Sequence, residues 1–426
     1  MALGLLATAC DSNPSSSGTT ATAATAAASV PATTALATTT STAEGTDVMT
    51  TSPTTAGPTT TPSSTLPAPS GDAFYQPPDP IPGTNNGDLI WATELPGAVS
   101  GATSWQVLYR SENLQGEPIA VSGIVVAPTG AAPGNPVLTW AHGTTGIADQ
   151  CAISKQFSAG LSAEKLVGSV AVGEGWTFVA TDYEGLGTPG VHPYLVGLSE
   201  ARGVLDIVRA AQQLPTTGVT TDSPVMIFGH SQGGGAALFA AEQAATWAPE
   251  LDVVGTVAGA PAGDLDTIVP AAWSDTVIAN PFAGSVIDGF KAGYPDLSLD
   301  AVANADGQAA LAQVATECVG SISITPEQAG ARNPMDDPAW KAAIDANTAG
   351  SVVPSAPVLI VHGEADTTVP RALTDITLGR YCAIGATVEV KSYPGQDHTS
   401  VITAALTDIK DFFHARLDGQ PATSSC

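Results

Sequence analysis

Unbroken apolar runs of about five to eight residues recur along this chain, and segments with helical periodicity fill the gaps between them. "PVLTWAHG" (136–143), "GWTFVATD" (175–182), "PVMIFG" (224–229), "VVGTVAG" (253–259) and "PVLIVHG" (357–363) are such runs, with "IAVSGIVVAP" (119–128) and "TVEVKSYP" (387–394) as further strands. A strand with one wet face alternates polar and apolar residues. Runs without alternation are predicted to be covered on both faces, as in a parallel sheet. Helices supply that cover. In 199–214, Val204, Ile207, Val208, Ala211 and Leu214 share one helical face, and Ser199 is the predicted N-cap. Segments 234–247 and 398–417 read as two more helices. Alternation of this kind predicts an α/β fold with helices on both faces of a mostly parallel sheet. One stretch, 263–353, holds helical pattern and no strand, and is predicted to be a cap inserted between two strands.

Composition divides the chain of 426 residues. Segment 11–72 is nearly all Ser, Thr, Ala, Pro and Gly, which cannot bury enough apolar surface to offset ordering entropy, so it is predicted to be a disordered stalk. The domain is predicted to run over 73–426. Forty acidic residues against 13 basic ones give a formal net charge of −27, without a basic patch. That speaks against nucleic acid and against electrostatic docking on anionic lipid. Residues 1–10, "MALGLLATAC", are too short to span a bilayer. They resemble the tail of a signal peptide ending in a bacterial lipobox, with Cys10 as lipid acceptor, which predicts an extracellular or cell-surface protein. With Cys10 set aside, Cys151, Cys318, Cys382 and Cys426 form an even set. Two disulfides are expected, with three possible connectivities. No pair has CxxC spacing and no histidines flank them, so no metal site is expected.

The run at 224–229 ends unusually, in His230, Ser231, Gln232 and three glycines before the next helix. Gly229 to Gly233 fit G-x-S-x-G, and strand before with helix after is the setting of the nucleophile elbow of α/β-hydrolases. There the serine sits strained on a sharp turn, and side chains at the two flanking glycines would strike neighbouring backbone. The turn leaves the N–H of Gln232 free at a helix N-terminus, where negative charge is stabilised. Ser231 is the predicted nucleophile.

A serine hydroxyl needs a base. Of the six histidines, His142, His192 and His230 do not fit the chain order serine, acid, histidine. His414 falls on the solvent side of a helix and His362 at a strand end. His398 sits on the loop after the final strand, from which an imidazole can reach over the sheet edge. It is the predicted base, with His362 the alternative. The loop after "PVLIVHG" offers Glu364 and Asp366, and Asp397 competes by adjacency. Asp366, in the strand–H-G-x-x-D arrangement of α/β-hydrolases, is the predicted acid, fixing the tautomer of His398. A second oxyanion donor is expected from "WAHGTTG" (140–146): the N–H of Thr144, with Gly143 permitting close backbone approach.

With these residues in place, the chain resembles the secretory lipase family. "AHGTTG", "DYEGLGTPGVHPYLVG" (182–197), "GHSQGGGAALFAAE" and "HGEADTTVP" with a later "GQDH" are similar to that family in the same order. The resemblance spans about 75–426. It implies an α/β-hydrolase fold, a helical cap over the serine, and hydrolysis of acylglycerols and other carboxylic esters without metal or cofactor. It carries the triad onto Ser231, Asp366 and His398, and implies Cys151–Cys318 and Cys382–Cys426 as the disulfides. The expected partner is an ester or lipid substrate, and the expected state a monomer. Two other readings stand beside it: a peptidase of the same fold, and a non-catalytic surface binding module.

Overall fold

The computed structural model describes residues 67–157, 162–274, 282–316, 318, 330 and 332–426. Cys10 and most of the predicted stalk lie outside these residues. Nine strands form one sheet: β1 (Leu89–Glu94), β2 (Ala102–Glu112), β3 (Pro118–Pro128), β4 (Val137–Ala141), β5 (Thr177–Thr181), β6 (Pro224–His230), β7 (Asp252–Gly259), β8 (Val358–Gly363) and β9 (Val388–Tyr393). Their spatial order is β1-β2-β3-β5-β4-β6-β7-β8-β9. The pairs β1–β2, β2–β3 and β3–β5 are antiparallel; all pairs from β5–β4 to β8–β9 are parallel. The helices among the described residues are α1 (Ile153–Gln156), α2 (Ala163–Gly173), α3 (Gly197–Ala211), α4 (Gln232–Trp247), α5 (Leu265–Ser274), α6 (Phe282–Gly293), α7 (Ala305–Val314), α8 (Pro338–Ala346), α9 (Arg371–Ala383) and α10 (Ser400–Leu417). This is an α/β-hydrolase architecture.

The unbroken apolar runs now have a cause. In β6, Val225 and Ile227 join the cluster with α3 and α4 through Val204, Leu205, Leu238 and Phe239. Met226 and Phe228 point the other way, toward Ile409, Phe412 and Phe413 of α10. Strands β4, β5 and β8 divide their side chains in the same way. Each fully buried aliphatic or aromatic side chain contributes roughly 1.5–3 kcal/mol, so a central strand needs apolar residues at both parities. A third cluster holds the helices between β7 and β8 together through Leu265, Ile287, Phe290, Trp340 and Ile344, and includes Tyr194 and Val196.

Two local expectations are corrected. Ser199 is not the N-cap: α3 begins at Gly197, after Val196, and the Ser199 hydroxyl donates to the Glu184 carboxylate. The N-cap Val196 supplies no side-chain cap; Glu200 in the first turn instead accepts the N–H of Leu195, just before the helix, at 3.0 Å. The sheet also begins earlier than the strand patterns indicate, with β1 and β2 on its antiparallel edge. The disulfides are Cys151–Cys318 and Cys382–Cys426, the pairing implied by the resemblance. Cys318 also forms a β-bridge with Gly146, so the loop after β4 is tied to the segment between β7 and β8.

Candidate active site

Strand β6 runs straight into α4 with one residue, Ser231, between them. Its φ and ψ are 60° and −121°, a left-handed conformation that costs a non-glycine residue on the order of 1–3 kcal/mol. Three backbone hydrogen bonds hold it there: Ser231 N–H to Gly259 O at 2.9 Å, and Ala262 N–H at 3.0 Å and Gly235 N–H at 3.2 Å to Ser231 O. The flanking glycines are required by crowding, not by φ. A Cβ on Gly229 would lie 1.9 Å from Gly233 O, and one on Gly233 would lie 1.9 Å from Ala141 O.

The loops after β8 and β9 bring the acid and the imidazole to this serine. His398 Nε2 lies 2.8 Å from Ser231 Oγ, and His398 Nδ1 lies 2.6 Å from Asp366 Oδ2. The two loops are joined by their backbones, with Ala365 N–H donating to Gln396 O at 2.9 Å and Glu364 N–H to Tyr393 O at 3.1 Å. Asp366 Oδ1 accepts the N–H groups of Thr368 (2.8 Å) and Val369 (2.9 Å). Burial alone would raise this carboxyl. Its hydrogen bonds to His362 and His398 outweigh burial and hold it well below the usual carboxylate range.

The competitors are committed elsewhere. Asp397 is exposed and caps α10, its Oδ1 accepting Thr399 N–H at 3.1 Å and Ser400 N–H at 2.8 Å. Glu364 is exposed. His362 is buried behind Asp366, with its Nε2 3.2 Å from Oδ2 and its Nδ1 2.7 Å from Thr374 Oγ1. His414 pairs with Glu174 at 3.0 Å. His230, next to the serine, has its Nε2 2.8 Å from the carbonyl of His398. Burial first, then the neighbouring His398, pushes it down to about 4, so it is a neutral donor holding the backbone of His398.

Gly143 and Thr144 follow β4 and abut the elbow. A Cβ on Gly143 would sit 3.7 Å from Ser231 Cβ and 3.4 Å from His230 O, which is ordinary contact. The protein's own atoms therefore leave room for a Cβ there. Thr144 Oγ1 lies 2.8 Å from the hydroxyl of Tyr194. Gln232 is the first residue of α4, so its N–H has no intrahelical acceptor. Its side chain is buried against His192 and Glu200.

Sequence reasoning singled out segment 182–197 but assigned it no role. Asp182 directly follows β5 and is wholly buried, accepting the Ser122 hydroxyl at 2.5 Å and Ser154 N–H at 2.8 Å. It fixes local backbone and does not approach the serine through any hydrogen bond among the described residues. Tyr183 adopts φ 70° and donates its hydroxyl to His142 O at 3.0 Å, one residue before Gly143.

The family described as secretory lipase matches over residues 154–425. A protein of Mycobacterium tuberculosis (strain CDC 1551 / Oshkosh) named a probable inactive lipase is 29% identical over 384 residues, covering 83% of this chain and 84% of that protein. Lipase A of Moesziomyces aphidis is 26% identical over 398 residues, covering 84% and 82%. The crystal structure of Candida antarctica lipase A in its closed state superposes with a TM-score of 0.71 at 24% identity, covering 85% of this chain and 89% of that one.

Proposed function

Because this chain belongs to the secretory lipase family, we propose that it is an extracellular serine hydrolase of acylglycerols or related carboxylic esters. The observation that carries the proposal is the unbroken relay from Ser231 Oγ through His398 to Asp366, at 2.8 and 2.6 Å. Ser231 Oγ attacks the acyl carbonyl carbon while His398 Nε2 takes its proton. Asp366 stabilises the resulting imidazolium and stays ionised. The N–H groups of Gln232 and Thr144 stabilise the oxyanion. His398 returns the proton to the alcohol as the C–O bond breaks, leaving Ser231 acylated. Water, deprotonated by His398, attacks the acyl carbon; as the acyl C–Oγ bond breaks, His398 returns that proton to Ser231 Oγ and the acid is released. The two disulfides support an oxidising compartment.

A non-catalytic reading has its own support, since one relative carries the name of a probable inactive lipase. One experiment separates the two. A fluorophosphonate probe is expected to label Ser231 in the extracellular or cell-surface fraction. Ser231→Ala is expected to lose the label and to lower kcat on a nitrophenyl ester by a factor on the order of 10⁶. An unlabelled wild-type protein with no ester turnover would establish the non-catalytic reading.

A further inference from the structure

The two residues whose N–H groups are proposed to bind the oxyanion, Thr144 and Gln232, are both hydrogen-bonded through their side chains to a single stretch, the loop between β5 and α3 and the first turn of α3. Tyr194 is 3% exposed, and among the described residues its hydroxyl has one hydrogen-bond partner, Thr144 Oγ1 at 2.8 Å. A buried phenol donates its proton to whatever acceptor it has. Tyr194 therefore donates and Thr144 accepts, which leaves the Thr144 hydroxyl proton free to turn toward the reacting carbonyl. Across the site, Gln232 uses both protons of its side-chain amide: Nε2 lies 2.9 Å from His192 Nε2 and 2.7 Å from Glu200 Oε1. His192 must then carry its own proton on Nδ1, which lies 3.0 Å from the carbonyl of Glu184. Burial keeps this imidazole neutral, as an acceptor must be.

The stretch is itself clamped. Tyr183 and Leu195 adopt φ values of 70° and 58°, strain that persists only where surroundings over-determine the backbone. The Tyr183 ring is stacked on His192 at 5.5 Å. Helix α6 lies against Tyr194 so closely that a Cβ on Gly289 would sit 2.4 Å from Tyr194 N. None of these side chains hydrogen-bonds the serine, the base or the acid among the described residues. A buried polar network that grips the side chains of both donor residues holds those residues in place before charge develops. Oxyanion donors lower the barrier only when they already stand where the charge will form.

We propose that Tyr194, His192 and Glu200 are positioning residues of the oxyanion hole, Tyr194 orienting Thr144 as a donor through both its N–H and its hydroxyl, and His192 with Glu200 locking Gln232. The proposal rests on the ester-hydrolase reading above. Steady-state kinetics on p-nitrophenyl butyrate, corrected for active sites by fluorophosphonate titration, test it. Tyr194→Phe removes one oxygen and keeps the ring. It is expected to lower kcat roughly 10- to 100-fold with KM within about two-fold, while one serine per chain still titrates. Glu200→Gln keeps an acceptor for Gln232 and is expected to retain kcat within about three-fold, whereas Glu200→Leu loses it as Tyr194→Phe does. If Glu200→Leu does not fold, the Tyr194→Phe and Glu200→Gln pair still decides. A merely structural role would lower the titratable fraction or the melting temperature and leave kcat per titrated site unchanged, and that outcome overturns the proposal. Wild-type protein with neither label nor turnover overturns the ester-hydrolase reading and this one with it. Turnover in the wild type with Tyr194→Phe unaffected overturns this one alone.

Discussion

At the scale of residues, adjacency in sequence is a poor guide to role in this site. His230 touches the serine through the chain, yet its Nε2 is spent on the carbonyl of His398 at 2.8 Å. His398, 167 positions from Ser231, is the residue whose ring reaches Oγ. A histidine that holds another histidine's backbone affects rate through geometry. Its loss leaves a carbonyl without its donor and a base free to drift, and misplacement by about 1 Å is worth roughly 10²-fold. His230→Ala is therefore expected to lower kcat about 10- to 100-fold, while His398→Ala falls to background. Equal losses in the two variants would refute the assignment. That Ser231, Asp366 and His398 would meet was legible from chain order, because α/β-hydrolases bring successive loops to the serine. The rejection of Asp397 as the acid was legible only in part: its capping of α10 depends on where that helix starts. Nothing local could have revealed Glu200. No sequence pattern places residue 200 against residue 232, since that contact is made by packing α3 beside α4.

At the scale of elements, the legible strands include those buried on both faces, and also β3 and the half-exposed edge strand β9. β4, β5, β6 and β8 are apolar at both parities because helices cover both sides. β2, on the antiparallel side of the sheet, was hidden because Thr103, Ser104, Gln106, Arg110 and Ser111 interrupt its apolar residues without a regular alternation. The opposite edge, β9, poses a different problem, since an open parallel edge invites pairing with another chain. Here the C-terminal tail covers it. Ser425 N–H donates to Val388 O at 2.7 Å, and Val390 N–H donates to Ser425 Oγ at 2.9 Å. Cys426 then locks the tail to Cys382 of α9, closing a loop with a sequence separation of 44. In the chain-entropy account, a loop of that length is worth up to about 4 kcal/mol. Cys426→Ser is expected to lower the unfolding free energy by about 2–4 kcal/mol in denaturant titration and to expose residues beyond α10 to protease. Since the tail makes no hydrogen bond to Ser231, His398 or Asp366 among the described residues, kcat at 25 °C is expected to stay unchanged. A variant as stable and as protease-resistant as the parent would show that the hydrogen bonds alone hold the tail.

At the scale of the whole molecule, charge is arranged so that stability and pH are linked with a definite sign. Three wholly or largely buried acids sit on α3 and α4. Burial pushes Glu200 up to about 8, and Asp206 and Glu242 up to about 6. In the unfolded chain each returns to the ordinary carboxylate range. These three acids therefore hold more protons in the native state between about pH 4.5 and 8, while the buried neutral imidazoles of His192 and His230 have the opposite sign below about pH 6.5; above that, only the acids act, and stability falls as pH rises toward 8. Asp366 has the opposite sign, because its carboxyl is held low; its contribution is lost only in strong acid. Surface repulsion from a formal charge of −27 points the same way as the buried acids, but the two respond differently to salt. Exposed charges are screened within about 10 Å at 0.1 M ionic strength, whereas buried groups are screened much less. The melting temperature is therefore expected to be higher at pH 6.5 than at pH 8.5, by a few degrees, with a substantial part of the difference surviving 0.5 M salt. Glu200→Gln, neutral in both states, is expected to flatten the limb between pH 7 and 8.5 specifically. A melting temperature that rises toward pH 8.5, or a slope that salt abolishes completely, would show that the surface charge and not the buried acids behind the elbow sets the pH response.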